Sequence, residues 1–219
     1  MIDWCPAVEA EVEGGATSRT ERRLLALALV GEVEARRETP PARSRRAADV
    51  ARALARRAGW SERACALLHE AALLQDVGYS AVPGELLAAD GPLDEEERST
   101  LELHPVFGVD LLRGVLRPEQ LGWVRHHHER WDGAGYPDGL RGNDIPEGAS
   151  LILLATAWAA MTHERPGRPA LSSEEALREC RAQAGRQFRP SSVAALAALA
   201  RGRRGRAGLA PVPAPRIAC

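Results

Sequence analysis

Lysine is absent from this chain: all 29 basic side chains among its 219 residues are arginine. In such a biased composition an arginine where another protein has lysine carries little information, whereas other replacements carry more. An excess of charge of either sign is also lacking. The formal net charge is -1, so no bulk attraction to nucleic acid or to a membrane surface is expected. No uncharged apolar run reaches the roughly 18 residues that a membrane span needs. The N-terminus has no basic start followed by an apolar stretch, so no secretory signal is read there. Cys5, Cys65, Cys180 and Cys219 are scattered, with no C-x-x-C pair. Free thiols in a reducing, cytoplasmic setting are therefore expected. Sustained alternation of apolar and polar residues is missing too, which leaves an all-α fold as the expectation.

What is present is ample apolar material, 45% of the residues, enough for the core of one domain. Residues 1–17, with Gly14-Gly15, read as a loose leader, 18–201 as the domain, and 202–219 as a basic, Pro/Ala-rich tail. The tail is either a solvated end or an arginine-rich contact for an acidic partner. Ser18 with Glu21 forms a capping-box pattern that opens a helix through Leu24, Leu25, Leu27, Leu29 and Val33, broken by Thr39-Pro40-Pro41. A second helix is expected over about 43–58 and a third from Ser61 to Asp76, stopped by Gly78. After a loop with Pro83 and Gly84, acidic residues at 94–97 suit a helix N-terminus. Further helices follow Pro105 and Pro118, the latter running into His126, His127 and His128. Residues 130–148 are rich in glycine and form a functional loop. Helices resume at about 149–163, 173–183 and 190–201. Trp60, Trp123 and Trp158 read as core, Trp131 as packing for the loop, and His69 and His163 as surface or packing residues.

The chemistry concentrates in the segment 126–137, His-His-His-Glu-Arg-Trp-Asp-Gly-Ala-Gly-Tyr-Pro. A lone histidine is more often structural. Adjacent imidazoles at a helix end, followed by a Gly-Tyr-Pro loop, point to a metal site of iron, manganese or zinc type once carboxylates join them. As plain physics, a Gly-flanked Tyr-Pro is also a turn anchor.

This segment, with Asp138-Gly139-Leu140 and Ile145-Pro146 after it, resembles the signature of the HD-GYP family. The resemblance extends over roughly 25–200, through Ala71 to Gly78, His104-Pro105, 165–172 and Gln187-Phe188. It implies a helical bundle around a centre of two or three metals that hydrolyses cyclic di-GMP by a metal-bridged hydroxide. Carried over residue by residue, it makes Asp76, His104, His127 and His128 metal ligands. It makes Arg165, Arg168 and Tyr136 nucleotide contacts, and the Tyr136-Pro137 loop a docking surface for a GGDEF-type protein. Glu129 and Asp132 are expected to support the ligands from behind.

The departures from the family pattern fall on one side. Its first ligand histidine falls on Arg43 and the histidine of its His-Asp pair on Gln75. Its following lysine falls on Tyr79, its late aspartate on Thr156, and a second aspartate on Ala159. One metal pocket is thus expected to be complete and its neighbour dismantled, leaving a single divalent transition metal, iron or manganese. Arg43 either points to solvent from a helix start or binds a phosphate where a metal is lost. The expected function is a cyclic-dinucleotide signalling domain, in the cytoplasm, that binds one metal and a nucleotide or partner with little or no hydrolysis. An active metal-dependent cyclic di-GMP phosphodiesterase and a structural remnant without metal are the alternatives.

Overall fold

The structure, a computed structural model, describes residues 18–37, 43–87, 91–164 and 169–204. The expected leader and nearly all of the expected tail lie outside those residues. Among the described residues the helices are α1 (Arg19–Arg36), α2 (Arg43–Arg57), α3 (Glu62–Leu74), α4 (Gly84–Leu87), α5 (Glu95–Glu102), α6 (His104–Leu112), α7 (Pro118–Arg125), α8 (Glu147–Met161), α9 (Ser173–Ala182) and α10 (Pro190–Arg204). Short 3-10 turns cover Val77–Ala81 and Gly142–Asp144. No strand occurs among the described residues, and none of their helices is long and apolar enough to cross a membrane.

Helix starts follow the sequence closely. The Ser18 hydroxyl accepts from the Glu21 amide at 3.2 Å, and the Glu21 carboxylate accepts from the Ser18 amide at 2.6 Å. Asp94 with Glu97 and Ser172 with Glu175 repeat that reciprocal cap, and the Ser61 hydroxyl caps α3. Four boundaries differ from expectation. α3 stops at Leu74, so Asp76 stands in the turn beyond it. α7 stops at Arg125, so the three histidines occupy the turn that follows. The loop at Pro83-Gly84 contains the short α4, and α10 continues to Arg204, past the expected end of the domain at 201.

The core lies where α2, α3 and α8 meet. Ala47, Ala48, Ala51, Leu54 and Ala55 of α2 face Cys65, Leu68, Ala71, Ala72 and Leu74 of α3 and 149–155 of α8, all buried. Alanines on these faces let backbones approach closely, and leucines between them fill the layer. Trp123 and Trp158 are buried, as read from the sequence, while Trp60 packs against Trp123 at 5.6 Å from the core margin. Cys65 and Cys180 are buried free thiols. The leucines expected to anchor α1 divide: Leu24 and Leu25 are exposed, and Ala26 and Val33 are the buried residues of that helix.

Two glycines set how closely elements approach near the histidines. A Cβ on Gly78 would lie 1.9 Å from the His104 carbonyl oxygen, and one on Gly148 would lie 2.6 Å from the Trp123 indole. Gly78 therefore lets the 3-10 turn at Asp76 press against the first turn of α6. Gly78→Ala is expected to destabilise the fold by about 1–3 kcal/mol or more, because backbone must move. Gly31→Ala, at a helical position with nothing within 4 Å, is expected to stabilise by up to about 1 kcal/mol. Urea unfolding of both variants measures the contrast.

Candidate metal centre

Asp76, His104, His127 and His128 come from three separate chain segments, and their ligand atoms all lie within 4.8 Å of one another. Asp76 stands at the turn after α3, His104 opens α6, and His127 and His128 follow α7. The structure thus brings together the four residues that the sequence singled out as ligands. Nε2 of His104 and Nε2 of His127 face each other at 3.3 Å. Oδ1 of Asp76 lies 3.6 Å from the first and 3.5 Å from the second.

The backbone fixes which ring nitrogens point inward. Nδ1 of His104 lies 2.8 Å from the Leu101 carbonyl oxygen, and Nδ1 of His127 lies 2.6 Å from that of Val124. A carbonyl oxygen only accepts, so each Nδ1 carries a hydrogen, and each ring turns its Nε2 edge toward the other and toward Asp76. Burial pulls the His104 pKa down, against the opposing pull of Asp76. Burial, then the neighbouring His127 and His104, pull that of His128 well below the usual value. Burial works to raise the Asp76 carboxyl, but hydrogen bonds and charge from His104 and His127 outweigh it and hold the group well below the carboxylate range. Two imidazole edges and a carboxylate oxygen, gathered at one point, form a cradle that a cation could fill. A donor set of imidazole nitrogens with one carboxylate fits a divalent transition metal.

Two tyrosines pack the outer histidines. Tyr79 stacks on His104 at 3.8 Å between centroids, and Tyr136 stacks on His128 at 4.7 Å. Burial pushes the Tyr79 hydroxyl up to about 12 and raises that of Tyr136 as well. Both rings therefore stay neutral and shield the cradle from water.

The triplet of histidines splits in function. Nε2 of His126 pairs with Asp138 at 2.9 Å, and Arg125 grips the same carboxylate through two bonds of 2.7 Å. The arginine, and after it His126, hold the Asp138 carboxyl down at about 2 against partial burial. Glu129 does not orient a ligand histidine as expected. Its buried carboxylate accepts from the amides of Asp138 at 2.7 Å and Leu140 at 3.0 Å, so it anchors the Gly-rich loop. Asp132 likewise serves the loop, pairing with Arg130 at 2.7 Å and accepting from the Ala134 amide. The support behind the ligand rings comes from backbone carbonyls instead. Gly135 is needed where the loop doubles back, since a Cβ there would lie 2.5 Å from the His128 carbonyl oxygen.

On the other side of Asp76, the Gln75 amide donates to the Thr156 hydroxyl at 2.9 Å, and that hydroxyl lies 3.3 Å from the Gln75 carbonyl oxygen. Gln75 is fully buried and Ala159 offers no donor. Amide and hydroxyl satisfy each other and present no anionic ligand. Arg43 opens α2, its Nε is buried without a hydrogen-bond partner, and its charge is felt at Tyr79. Arg165 and Arg168 lie outside the described residues. Surface grooves of about 660 and 540 Å³ lie elsewhere, the first beside Trp158 and Leu196, the second beside Leu27 and Leu74. The sequence reading missed Arg37, whose guanidinium carbon sits 3.9 Å from the Tyr79 ring centroid. Nothing local distinguishes it from the other arginines.

Curated relatives agree in kind. The cyclic di-GMP phosphodiesterase response regulator RpfG of Xanthomonas campestris is 39% identical over 154 residues, 69% of this chain and 41% of that protein. The 3'3'-cGAMP-specific phosphodiesterase 2 of Vibrio cholerae is 34% identical over 77% of this chain and 33% of its own length. A cyclic di-GMP phosphodiesterase of Thermotoga maritima is 34% identical over 65% of this chain and 39% of its own. The chain thus spans well under half the length of these relatives. Among solved structures, the Vibrio cholerae cyclic GMP-AMP phosphodiesterase V-cGAP3 superposes with a TM-score of 0.64 at 20% identity, over 83% of this chain and 49% of that one. Bd1817, an HDGYP protein of Bdellovibrio bacteriovorus, gives 0.58 at 21% identity over 73% and 52%. These likenesses establish the helical fold.

The geometry predicts that His127→Ala lowers affinity for manganese or iron by on the order of 100-fold or more, since loss even of an outer partner of a ligand commonly costs 10–100-fold. Metal titration followed by elemental analysis of the purified chain measures this. A native-like affinity in the variant would remove His127 from the site. The HD domain profile matches residues 28–191, a stretch that contains all four clustered side chains together with the helices that carry them; the chain belongs to the HD domain family.

Proposed function

We propose that this chain is a cyclic-dinucleotide phosphodiesterase domain working at one transition metal, iron or manganese, held by Asp76, His104, His127 and His128. The observation that carries the reading is the pair of facing Nε2 atoms beside the Asp76 carboxylate. The printed activities of the relatives supply the substrate class. When bound, the metal lowers the pKa of a water and offsets charge on the scissile phosphate. The protein's own groups do the rest. The carbonyls of Leu101 and Val124 keep the Nδ1 protons in place. Tyr79 and Tyr136 limit water around the ligands. Arg43, buried at Nε and unpartnered there, binds a phosphate by paired hydrogen bonds, with Arg165 and Arg168 as further nucleotide contacts. The Tyr136 loop, anchored by Glu129, serves as the docking surface for a GGDEF-type partner. The buried free thiols of Cys65 and Cys180 fit a cytoplasmic setting.

A second reading, nucleotide binding without hydrolysis, is favoured by one observation: Gln75 and Thr156 satisfy each other and offer no ligand for a second metal. Hydrolysis of cyclic di-GMP by the manganese-loaded chain separates the two. Turnover that disappears in His127→Ala is expected. Binding without turnover would leave the second reading standing in its place. The double variant Gln75→His with Thr156→Asp is expected to take up a second metal and raise turnover by on the order of 10-fold or more, the scale on which single supporting groups act. Unchanged metal content in that variant would show that these positions do not face a metal pocket.

A further inference from the structure

We propose that Arg37 is a phosphate-binding residue of this site, a cation seated on the Tyr79 ring to receive one phosphate of the cyclic dinucleotide. The inference rests on the function reading above and adds to it a residue that neither the motifs nor the ligand cluster contain.

Arg37 is the C-cap of α1. Its guanidinium carbon lies 3.9 Å from the centroid of the Tyr79 ring, and that ring stacks on His104 at 3.8 Å. The cation is therefore one aromatic ring away from a metal ligand. Its charge is felt at Tyr79, at Tyr136 and at His128. The seat is held firmly. The adjacent Arg36 donates to the carbonyls of Ser80 at 3.4 Å and Val82 at 3.1 Å, which straps the last turn of α1 onto the 3-10 turn carrying Tyr79.

Arg36 pairs with Glu32, Arg113 with Asp110, Arg125 with Asp138 and Arg130 with Asp132. Among the described residues Arg37 has no such ion pair. The Tyr79 ring occupies one face of the guanidinium and its hydroxyl bonds one N–H, which leaves the other in-plane N–H groups of the five-donor fork to donate. Those donors form a flat fork that matches two phosphate oxygens. A helix C-terminus alone would account for a cation at this position, but not for one placed on the ring that packs a metal ligand. Arg43 contributes a second positive charge at the same tyrosine. A phosphodiester at the metal would then have both arginine charges nearby.

The test uses the full chain loaded with manganese, as native protein, Arg37→Ala and Arg37→Lys. Each is checked for metal content and thermal midpoint and then titrated with cyclic di-GMP. Arg37→Ala is expected to weaken binding by on the order of 10- to 100-fold, the range for a hydrogen bond to a charged group, with metal content at the native level. Arg37→Lys is expected to recover only part of the loss, because an ammonium keeps the charge without the fork or the stack. If Arg37→Ala does not fold, Arg37→Gln keeps a planar group without charge and serves the same comparison. Native-like affinity in Arg37→Ala, with the native chain binding well, would overturn this inference and leave the function reading intact. Loss of binding together with loss of metal would assign Arg37 a structural role under Tyr79 and overturn it as well. Failure of the native chain to bind any cyclic dinucleotide would overturn the function reading, and this inference with it.

Discussion

The site depends on two imidazole edges that face each other at 3.3 Å with a carboxylate beside them. Neither edge can turn away, because the opposite nitrogen of each ring is tied to a carbonyl three residues earlier in the chain. The three groups converge on one point, and a cation there would be held by side chains from the turn after α3, from α6 and from the turn after α7. Metal bound at that point would stabilise the packing of those segments, because binding to a site that exists only in the folded chain adds to the stability of the fold.

The Gly-rich loop meets a different demand. It runs close to the ligands, carries Tyr136 onto His128, and still needs partners for its own backbone amides. Glu129 supplies two of them from a buried position, while Arg125 and His126 hold Asp138 from outside. A buried carboxylate is tolerable when backbone donors satisfy both of its oxygens, as they do here. The loop is thus ordered by charge-assisted bonds at its base, and its glycines serve the close approach at Gly135.

These roles differ in how far the sequence reveals them. Helix starts at Ser18, Ser61, Asp94 and Ser172 were legible because a cap is a local event, fixed by residues three apart. The four clustered side chains were legible because the motif carries them, and the choice of His127 and His128 over His126 followed the same resemblance. Direction within a turn was not legible. Glu129 follows a ligand histidine directly, and adjacency invited a supporting role, yet the turn aims its carboxylate at the amides of residues 138 and 140. Asp76 was read as helical because nothing in the sequence reveals that α3 ends at Leu74 and passes into a 3-10 turn. Arg37 could not be singled out either. Its partner is Tyr79, a contact between segments far apart in the chain, in a sequence with 29 arginines.

The Gln75–Thr156 pair differs in kind from the cluster beside it. Gln75 and Thr156 satisfy each other, and neither carries charge. That half is stable without an ion. Asp76 is the carboxylate of the cluster, and Arg37 and Arg43 carry positive charge near Tyr79. A guanidinium holds an anion without any need to be loaded, whereas a metal site acts only when filled. In the proposed function, recognition on the Gln75–Thr156 side would accordingly rest on arginine, and chemistry on Asp76, His104, His127 and His128.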